Sequence, residues 1–312
     1  MTIRTFQAGD DLAQVSIYNE SAGDLPRFKP ATLDEVRRRL RGSDFDPSTR
    51  FYALEEGRPV GYATFSASGR VGFPWCRKGC ESFAAPLIRA VLDAMRQRGH
   101  RSAFAAYRGD WPAVRAFFEG HGFTPSREMV NFAIDIVEMP TPAARYSSNI
   151  TPLTPADLPA VVRLGTGVLR CTDLPTLEEH LFRNAHFAPS SLFALRSKLD
   201  DQPVAVGLLV ESSTFAHPAQ VDPAMPCFRL GAFGTEGLTH KRINGMFSLL
   251  AADTHDLSAL ALDLLSHATR LLETTEVETI AAQVSSDVPH LMRFYKSLFR
   301  RQGSFPLYER LL

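Results

Sequence analysis

One stretch of the chain reads Val71-Gly-Phe-Pro-Trp-Cys-Arg-Lys-Gly-Cys-Glu-Ser-Phe-Ala84 and runs into a helical pattern that ends near Gly99. It predicts a short buried strand, a basic turn and an amphipathic helix, because apolar residues recur at helical spacing between Leu87 and Met95. A strand that turns directly into a helix points backbone N–H groups and the positive end of the helix dipole at one place, which favours an anion such as pyrophosphate. Arg77 and Lys78 add positive charge there. An ordinary strand–helix connection with solvated basic residues explains the stretch equally well.

The segments around this stretch continue the alternation of strands and helices. His100–Tyr107 predicts a second strand, and Asp110 is placed to cap a short helix over Trp111–Gly120. That helix closes on Gly122-Phe123. Upstream, Arg50–Phe65 predicts a β-hairpin with its turn at a Glu-Gly pair.

In this order of elements the chain resembles the GNAT acetyltransferase superfamily. The core of that family is a strand, an acyl-CoA pyrophosphate loop, a helix, a splayed strand and a helix that closes on a Gly-Phe pair. The family loop has the pattern Gln/Arg-x-x-Gly-x-Gly/Ala, and this sequence offers Gly79-x-x-Ser82-x-Ala84 with its arginine displaced to Arg77. The resemblance implies acetyl-CoA or another acyl-CoA as co-substrate, and no metal. The cofactor-binding residues that it implies are Val71, Phe73, Arg77, Lys78, Gly79, Ser82, Phe83, Ala84, Trp111 and Phe118.

A second copy of the same pattern follows the first. Ile150–Leu158 is similar to Ile3–Leu12, and Leu192–Leu195 is similar to Phe51–Leu54. Each match is weak alone, but their preserved order indicates two copies of one fold. The spacing of the second copy is longer, which predicts an insertion between Thr214 and Pro226.

The segment between the copies, Met139–Asn149, is rich in proline and serine, as is typical of a linker. We therefore predict an α/β (α+β) chain of two tandem GNAT-like domains, residues 1–143 and 149–312. By the resemblance, each domain is a mixed, mostly antiparallel sheet flanked by helices.

The two copies differ in their loops before the long helix. In the second copy this loop is Ala252–Ala259, which contains no glycine, arginine or lysine but carries Asp253 and Asp256. These carboxylates would repel a pyrophosphate, and Asp256 is placed to cap its own helix. The first copy is therefore the predicted acyl-CoA site, and the second is a structural or acceptor-binding half.

The second copy nevertheless holds the better catalytic candidates. GNAT enzymes often have a tyrosine that protonates the leaving CoA thiolate, and the resemblance assigns that role to Tyr295; the first copy has Phe118 there, which has no proton to give. A core aromatic explains Tyr295 equally well. Glu236, flanked by glycines, is the first choice for the base that deprotonates the acceptor amine, although an exposed turn glutamate explains it too. His240–Arg242 could bind an acidic acceptor or form a solvated loop.

Charge, cysteine content and hydropathy argue against several classes of partner and location. The formal net charge is zero, so no nucleic-acid or membrane partner is expected. The four cysteines do not make a disulfide framework, and Cys76 and Cys80 lack the second ligand pair of a zinc site. No apolar run approaches the ~20 residues that span a bilayer, so we expect a cytoplasmic protein.

The predicted activity is transfer of an acetyl group from acyl-CoA to the amine of a small molecule or a peptide. The alternative is a catalytically inactive CoA-binding or ligand-sensing protein of the same fold, for which the degenerate loops argue. A purely structural or interaction protein is the third class, because a fold does not determine a function. The sequence does not distinguish between acceptors or between oligomeric states.

Overall fold

The computed structural model of the chain describes residues 2–26, 28–41, 45–139, 149–166, 168–169, 172–183, 187–210, 245–275 and 277–312. Glu236, the basic residues His240–Arg242 and the predicted insertion lie outside these ranges. So do residues 140–148 of the predicted linker.

Among the described residues, each half of the chain contains six strands and four helices in the same order. The elements of the first half are β1 (Thr2–Thr5), α1 (Asp10–Ala22), α2 (Leu33–Leu40), β2 (Arg50–Glu55), β3 (Arg58–Thr64), β4 (Trp75–Cys76), α3 (Ala84–Gln97), β5 (Ser102–Ala106), α4 (Pro112–Gly120) and β6 (Thr124–Asp135). Those of the second half are β7 (Ile150–Pro152), α5 (Leu158–Leu164), α6 (Leu174–Phe182), β8 (Leu192–Arg196), β9 (Pro203–Val210), β10 (Gly245–Ala251), α7 (Leu257–Leu272), β11 (Thr279–Ser285), α8 (Pro289–Leu298) and β12 (Arg300–Leu311). This repeat confirms the predicted α/β fold of two similar halves.

The chain divides into two units, which do not follow the chain order completely. Unit 1 consists of Met1–Arg127 and Phe305–Leu312, and unit 2 consists of Glu128–Ser304. The end of β6 therefore belongs to unit 2, and the end of β12 belongs to unit 1. The domain boundaries predicted at residues 143 and 149 stay a prediction, because the residues between them lie outside the described ranges.

In unit 1, strands β1 to β4 form an antiparallel sheet in chain order. The hairpin predicted over Arg50–Phe65 is confirmed, and its turn has positive φ at Glu56 (49°) and Gly57 (78°). Strand β5 pairs with the end of β12, from Leu307 opposite Ala106 to Leu311 opposite Ser102. Tyr308 from β12 is buried in the same hydrophobic core as the apolar residues of α3.

In unit 2, the strand order is β6-β11-β10-β9-β8-β7. All neighbours are antiparallel except β10 and β11, which are parallel, so the sheet is mixed and mostly antiparallel as predicted. One face packs against α7 and α8 through residues such as Leu264, Leu265 and Tyr295. The other face packs against α5 and α6 through Val161 and Leu177.

Three local expectations differ from the structure. The strand predicted near Val71 is limited to β4, and Val71 makes only an isolated bridge to Phe65. Asp110 does not cap α4: the capping position is Trp111, and the Asp110 carboxylate accepts hydrogen bonds from Arg108 instead, at 2.8 and 3.0 Å. Asp256 does occupy the position before α7, but its side chain makes no capping hydrogen bond.

Candidate functional site

Strands β10 and β11 of unit 2 separate soon after they meet. They pair at only two positions, Gly245 with Ile280 and Met246 with Ala281. Three residues past the second pair, the Leu249 N–H donates to the hydroxyl of Tyr295 at 3.0 Å. Beyond their last pair the two strands therefore leave a gap. There the Leu249 N–H, which would otherwise donate to a neighbouring strand, donates to the side chain of Tyr295 from α8.

Tyr295 is at once a core residue and the polar group in this gap. Its side chain is buried, with its ring stacked on Phe132 at a centroid distance of 5.8 Å and edge-on to Phe299 at 5.1 Å. His290, also on α8, lies with Nε2 3.0 Å from the carbonyl oxygen of Ala251. Both side chains of α8 thus reach the edge of β10 that faces the gap.

An open surface cleft lies beside the gap, at the start of α7. Its volume is about 510 Å³, and its lining residues are Asp253, Thr254, His255, Leu257, Ser258, His290 and Arg293. The Arg293 guanidinium lies 3.2 Å from the Asp253 carboxylate, in an ion pair whose two side chains are exposed. One of the two carboxylates that were expected to repel phosphate, Asp253, is therefore paired with a cation, in an ion pair of a kind that contributes little stability.

Sequence reasoning missed His290 and Arg293 as contributors to this cleft. They are three residues apart on α8, a spacing that puts two side chains on one face of a helix. That spacing can be recognised in the sequence. The sequence does not show that α8 packs next to the loop before α7.

The corresponding turn of unit 1 is already neutralised by the protein's own acidic groups. The Arg77 guanidinium contacts the Glu20 carboxylate at 2.5 Å, and Glu20 also accepts the Lys78 N–H at 3.1 Å. The Lys78 ammonium lies 2.8 Å from Asp24 and lowers the pKa of that carboxyl by a hydrogen bond. The Gly79 N–H donates to Glu81 at 3.0 Å, and backbone N–H groups lower the pKa of Glu81. The positive groups of this turn are therefore paired with carboxylates of the protein itself, and pyrophosphate binding at this turn stays a prediction.

The corresponding gap in unit 1, between residues 71–76 and the β5 side of the unit, holds aromatic rings. The Val71 N–H donates to the Phe104 carbonyl at 2.8 Å, and the next N–H that points the same way, that of Phe73, donates to the hydroxyl of Tyr107. The rings around this bond form a cluster that we call the aromatic plug: Phe73, Trp75, Tyr107, Trp111 and Phe118. Phe73 and Trp75 have a centroid distance of 4.7 Å, and Tyr107 stacks on Phe118 at 5.7 Å.

The structure brings only some of the predicted cofactor-binding residues together. Phe73, Trp111 and Phe118 meet in the aromatic plug, and Trp111 is held by a 3.0 Å hydrogen bond from Nε1 to the Pro26 carbonyl. Val71 is fully buried. The remaining residues follow the turn into α3, where Ser82 is exposed while Phe83 and Ala84 are buried.

The part of the chain that the structure describes contains no group of three or more His, Cys, Asp or Glu side chains that could hold a metal ion. Cys76 and Cys80 are free thiols, and burial raises the pKa of Cys76 to about 12. A thiol with that pKa stays protonated near neutral pH. Of the helices described, none is both long and apolar enough to cross a membrane.

Two similar halves, with a parallel strand pair that separates in unit 2, define an α/β fold of two tandem units, and solved structures share this fold. A GCN5-related N-acetyltransferase from Sphaerobacter thermophilus has a TM-score of 0.59 at 14% identity, covering 99% of this chain and 95% of that chain. A tandem GNAT protein from the clavulanic acid biosynthesis pathway has a TM-score of 0.54 at 14% identity, covering 99% and 98%. A GCN5-related N-acetyltransferase from Anabaena variabilis has a TM-score of 0.52 at 8% identity, covering 99% and 73%.

No protein-family model matches this sequence, and no curated protein matches it significantly. The likeness to solved structures is therefore one of fold alone. The chain has a tandem GNAT fold, and the resemblance predicted from the order of its elements is confirmed at that level.

Proposed function

We propose that the chain is an acyl-CoA-dependent N-acetyltransferase that acetylates an amine of a small molecule or a peptide. One observation carries the proposal: in unit 2, β10 and β11 separate beside an open cleft, and the Tyr295 hydroxyl lies in the gap between them. A gap of this kind can admit a thin thioester arm, the cleft can take the larger charged end, and the hydroxyl can supply a proton. The tandem GNAT fold supports the same activity.

Within this proposal, the start of α7 is the better place for the CoA diphosphate. Arg293 can exchange its exposed contact with Asp253 for phosphate oxygens at little cost, and charge-assisted bonds from arginine to phosphate are strong. His255 and His290 border the same cleft. At the start of α3, phosphate would first have to displace Glu20 and Glu81 from the turn. The site predicted there from Arg77 and Lys78 is therefore the second choice.

The chemistry follows from the thioester. The amine nitrogen attacks the acetyl carbonyl carbon, a C–N bond forms, the C–S bond breaks and the CoA thiolate leaves. Tyr295 would give its hydroxyl proton to the thiolate and regain one from water. The attacking nitrogen loses a proton to water or to Glu236, whose role stays a prediction.

The location of the cofactor can be tested by comparing two variants. Arg293→Ala should weaken CoA binding about 10- to 100-fold, because it removes a charge-assisted phosphate contact. The double variant Arg77→Ala/Lys78→Ala should change it less than about twofold. Isothermal titration calorimetry with CoA measures both. Arg183→Ala is the matched control, since Arg183 is also an exposed arginine of unit 2 paired with a carboxylate. The opposite ranking of the two variants would move the site to unit 1.

The alternative, an inactive CoA-binding or ligand-sensing protein, has its own supporting observation. The aromatic plug fills the gap of unit 1, and in unit 2 the Leu249 N–H is already bonded to Tyr295. Acetyl-CoA at a hundred times its Kd should stabilise either kind of protein by about 2.7 kcal/mol. Only an enzyme should also release CoA thiol when a panel of primary amines is added. A thermal shift without thiol release would favour the alternative. If neither a thermal shift nor thiol release is seen, both candidate functions are contradicted.

A further inference from the structure

The face of the unit 2 sheet that packs against α5 and α6 contains buried polar residues as well as apolar ones, and two of the polar ones, Gln283 and Ser285, are on β11 beyond its last pair with β10. Side chains alternate between the faces of a strand. Ala281 belongs to the core beneath α5 and α6, whereas Ala282 and Val284 belong to the core beneath α7 and α8. Gln283 and Ser285 therefore lie on the same face as Ala281.

Both residues are buried, and each has a polar atom without a hydrogen-bond partner. Gln283 is 5% exposed and Ser285 is 4% exposed. The Gln283 Nε2 donates to Asn131 Oδ1 at 2.9 Å, but Gln283 Oε1 and Ser285 Oγ have no partner among the residues that the structure describes. Turning the Gln283 amide over would leave its other end unpaired. A buried, unpaired polar group destabilises a fold, so two of them two residues apart require an explanation.

Their position in the sheet supplies one. Gln283 and Ser285 are two and four residues past Ala281, the last residue of β11 that pairs with β10. They therefore lie on the part of β11 that borders the gap. Tyr295 approaches the same gap from the α7 and α8 face, whereas the two unpaired oxygens lie on the α5 and α6 face. A two-substrate reaction could use such an arrangement, with one reactant on each face of the sheet.

We infer that Gln283 Oε1 and Ser285 Oγ accept hydrogen bonds from the nitrogen of the acceptor, and that this acceptor is a primary amine bound in its uncharged form. The inference rests on the proposed acetyltransferase function. The two oxygens offer lone pairs but no negative charge, and an ammonium ion that loses its hydration without a counter-charge is strongly disfavoured. The uncharged amine is also the form that can attack a thioester. Gln283 and Ser285 are thus specificity-determining residues, which hold the nucleophile and select its protonation state.

The test uses Ser285→Ala and Gln283→Met in the full chain, with acetyl-CoA as donor and a panel of primary amines: amino-acid amides, a polyamine and an aminosugar. CoA thiol release gives the KM for each substrate, and thermal melts give the Tm. For the best amine, each variant should raise the amine KM about 5- to 100-fold, the range that follows from losing one buried hydrogen bond. The acetyl-CoA KM should change less than twofold. The Tm of Ser285→Ala should stay the same or rise because an unpaired polar atom is removed, whereas Gln283→Met also loses the hydrogen bond to Asn131 and should have a somewhat lower Tm.

Ser191→Ala is the matched control. Ser191 is another buried serine of unit 2 whose Oγ has no partner among the described residues, but it precedes β8, three strands away from β11 in the sheet. Ser191→Ala should leave both KM values unchanged, and its Tm should stay the same or rise, as for Ser285→Ala. In the unaltered chain, the amine KM should fall as pH rises towards the pKa of the amine, because the uncharged fraction grows.

The outcomes separate this inference from the proposed function. Turnover with an unmoved amine KM in both variants would overturn the inference alone. A fall in Tm together with a rise in both KM values would also overturn it, because it would indicate a structural role. If the unaltered chain binds no acetyl-CoA and turns over no amine of the panel, the proposed function fails and the inference fails with it.

Discussion

At the scale of single residues, the Tyr295 hydroxyl accepts the Leu249 N–H while its ring packs on Phe132. Tyr295→Phe should lower kcat by about 10²- to 10⁴-fold, the usual contribution of a general acid. It should also lower the free energy of unfolding by about 1–3 kcal/mol, because the Leu249 N–H loses its acceptor. Steady-state kinetics and urea melts measure the two effects separately.

Tyr107→Phe is the matched control for that variant. Tyr107 of unit 1 accepts the Phe73 N–H in the same way, and burial raises the pKa of its hydroxyl. Tyr107→Phe should lower the free energy of unfolding by a similar amount and leave kcat unchanged. Equal kcat values for the unaltered chain and Tyr295→Phe would exclude Tyr295 as the acid.

A second residue-scale prediction concerns pH and Asp157. Burial alone would raise the pKa of Asp157, but hydrogen bonds from Arg196 and Thr154 outweigh burial and hold the pKa below its usual range. Arg196 binds both carboxylate oxygens, at 3.0 and 2.8 Å. Because the pKa is lower in the folded state than in the unfolded state, the carboxylate stabilises the fold above about pH 4, and this stabilisation is lost as pH falls through the folded-state pKa.

Asp157→Asn should therefore lower the free energy of unfolding by about 1.5–3 kcal/mol at neutral pH, and the deficit should shrink below about pH 4. Urea melts at several pH values measure this. Glu179→Gln is the control, since Glu179 pairs with Arg183 at 3.3 Å on the surface and is 61% exposed, against 9% for Asp157. Its removal should change stability by less than about 0.5 kcal/mol. A deficit for Asp157→Asn that is constant with pH would contradict the argument.

At the scale of elements, the last strand of the chain supports the first unit. Tyr308 of β12 lies opposite Ala105 of β5 and is buried. Tyr308→Ala should destabilise unit 1 by about 3–5 kcal/mol, the usual cost of removing a buried aromatic ring. Amide hydrogen exchange should accelerate in β5, more than two hundred positions earlier in the chain, because its neighbouring strand loses its anchor.

Leu311→Ala is the control, because Leu311 is on the same strand but 84% exposed. It should leave the exchange of β5 almost unchanged. If Tyr308→Ala instead accelerated exchange mainly in β8 and β9 of unit 2, the assignment of residues 305–312 to unit 1 would be wrong.

At the scale of the whole molecule, the two halves share one order of elements but fill the gap beside the fourth strand of each half differently. In unit 1 the aromatic plug occupies it, and Glu20 neutralises the turn before the helix. In unit 2 the Tyr295 hydroxyl reaches β10, and an open cleft lies at the start of α7. The geometry therefore favours unit 2 for the chemistry, whereas the charges of the two loops, considered without their neighbours, favoured unit 1.

The sequence by itself determined the order of the elements, the hairpin of unit 1 and the duplication of the fold. Helical spacing, strand alternation and turn residues are local, so they can be recognised without knowing what packs where.

Only the tertiary structure decided which groups meet. Glu20 is more than fifty residues from Arg77, Arg293 is forty residues from Asp253, and Tyr295 is forty-six residues from Leu249, yet each pair is in contact. Such contacts depend on how helices and strands pack in three dimensions, and the periodicity within one segment does not predict them. The unpaired oxygens of Gln283 and Ser285 belong to the same class, because whether a buried polar atom has a partner depends on all its neighbours at once.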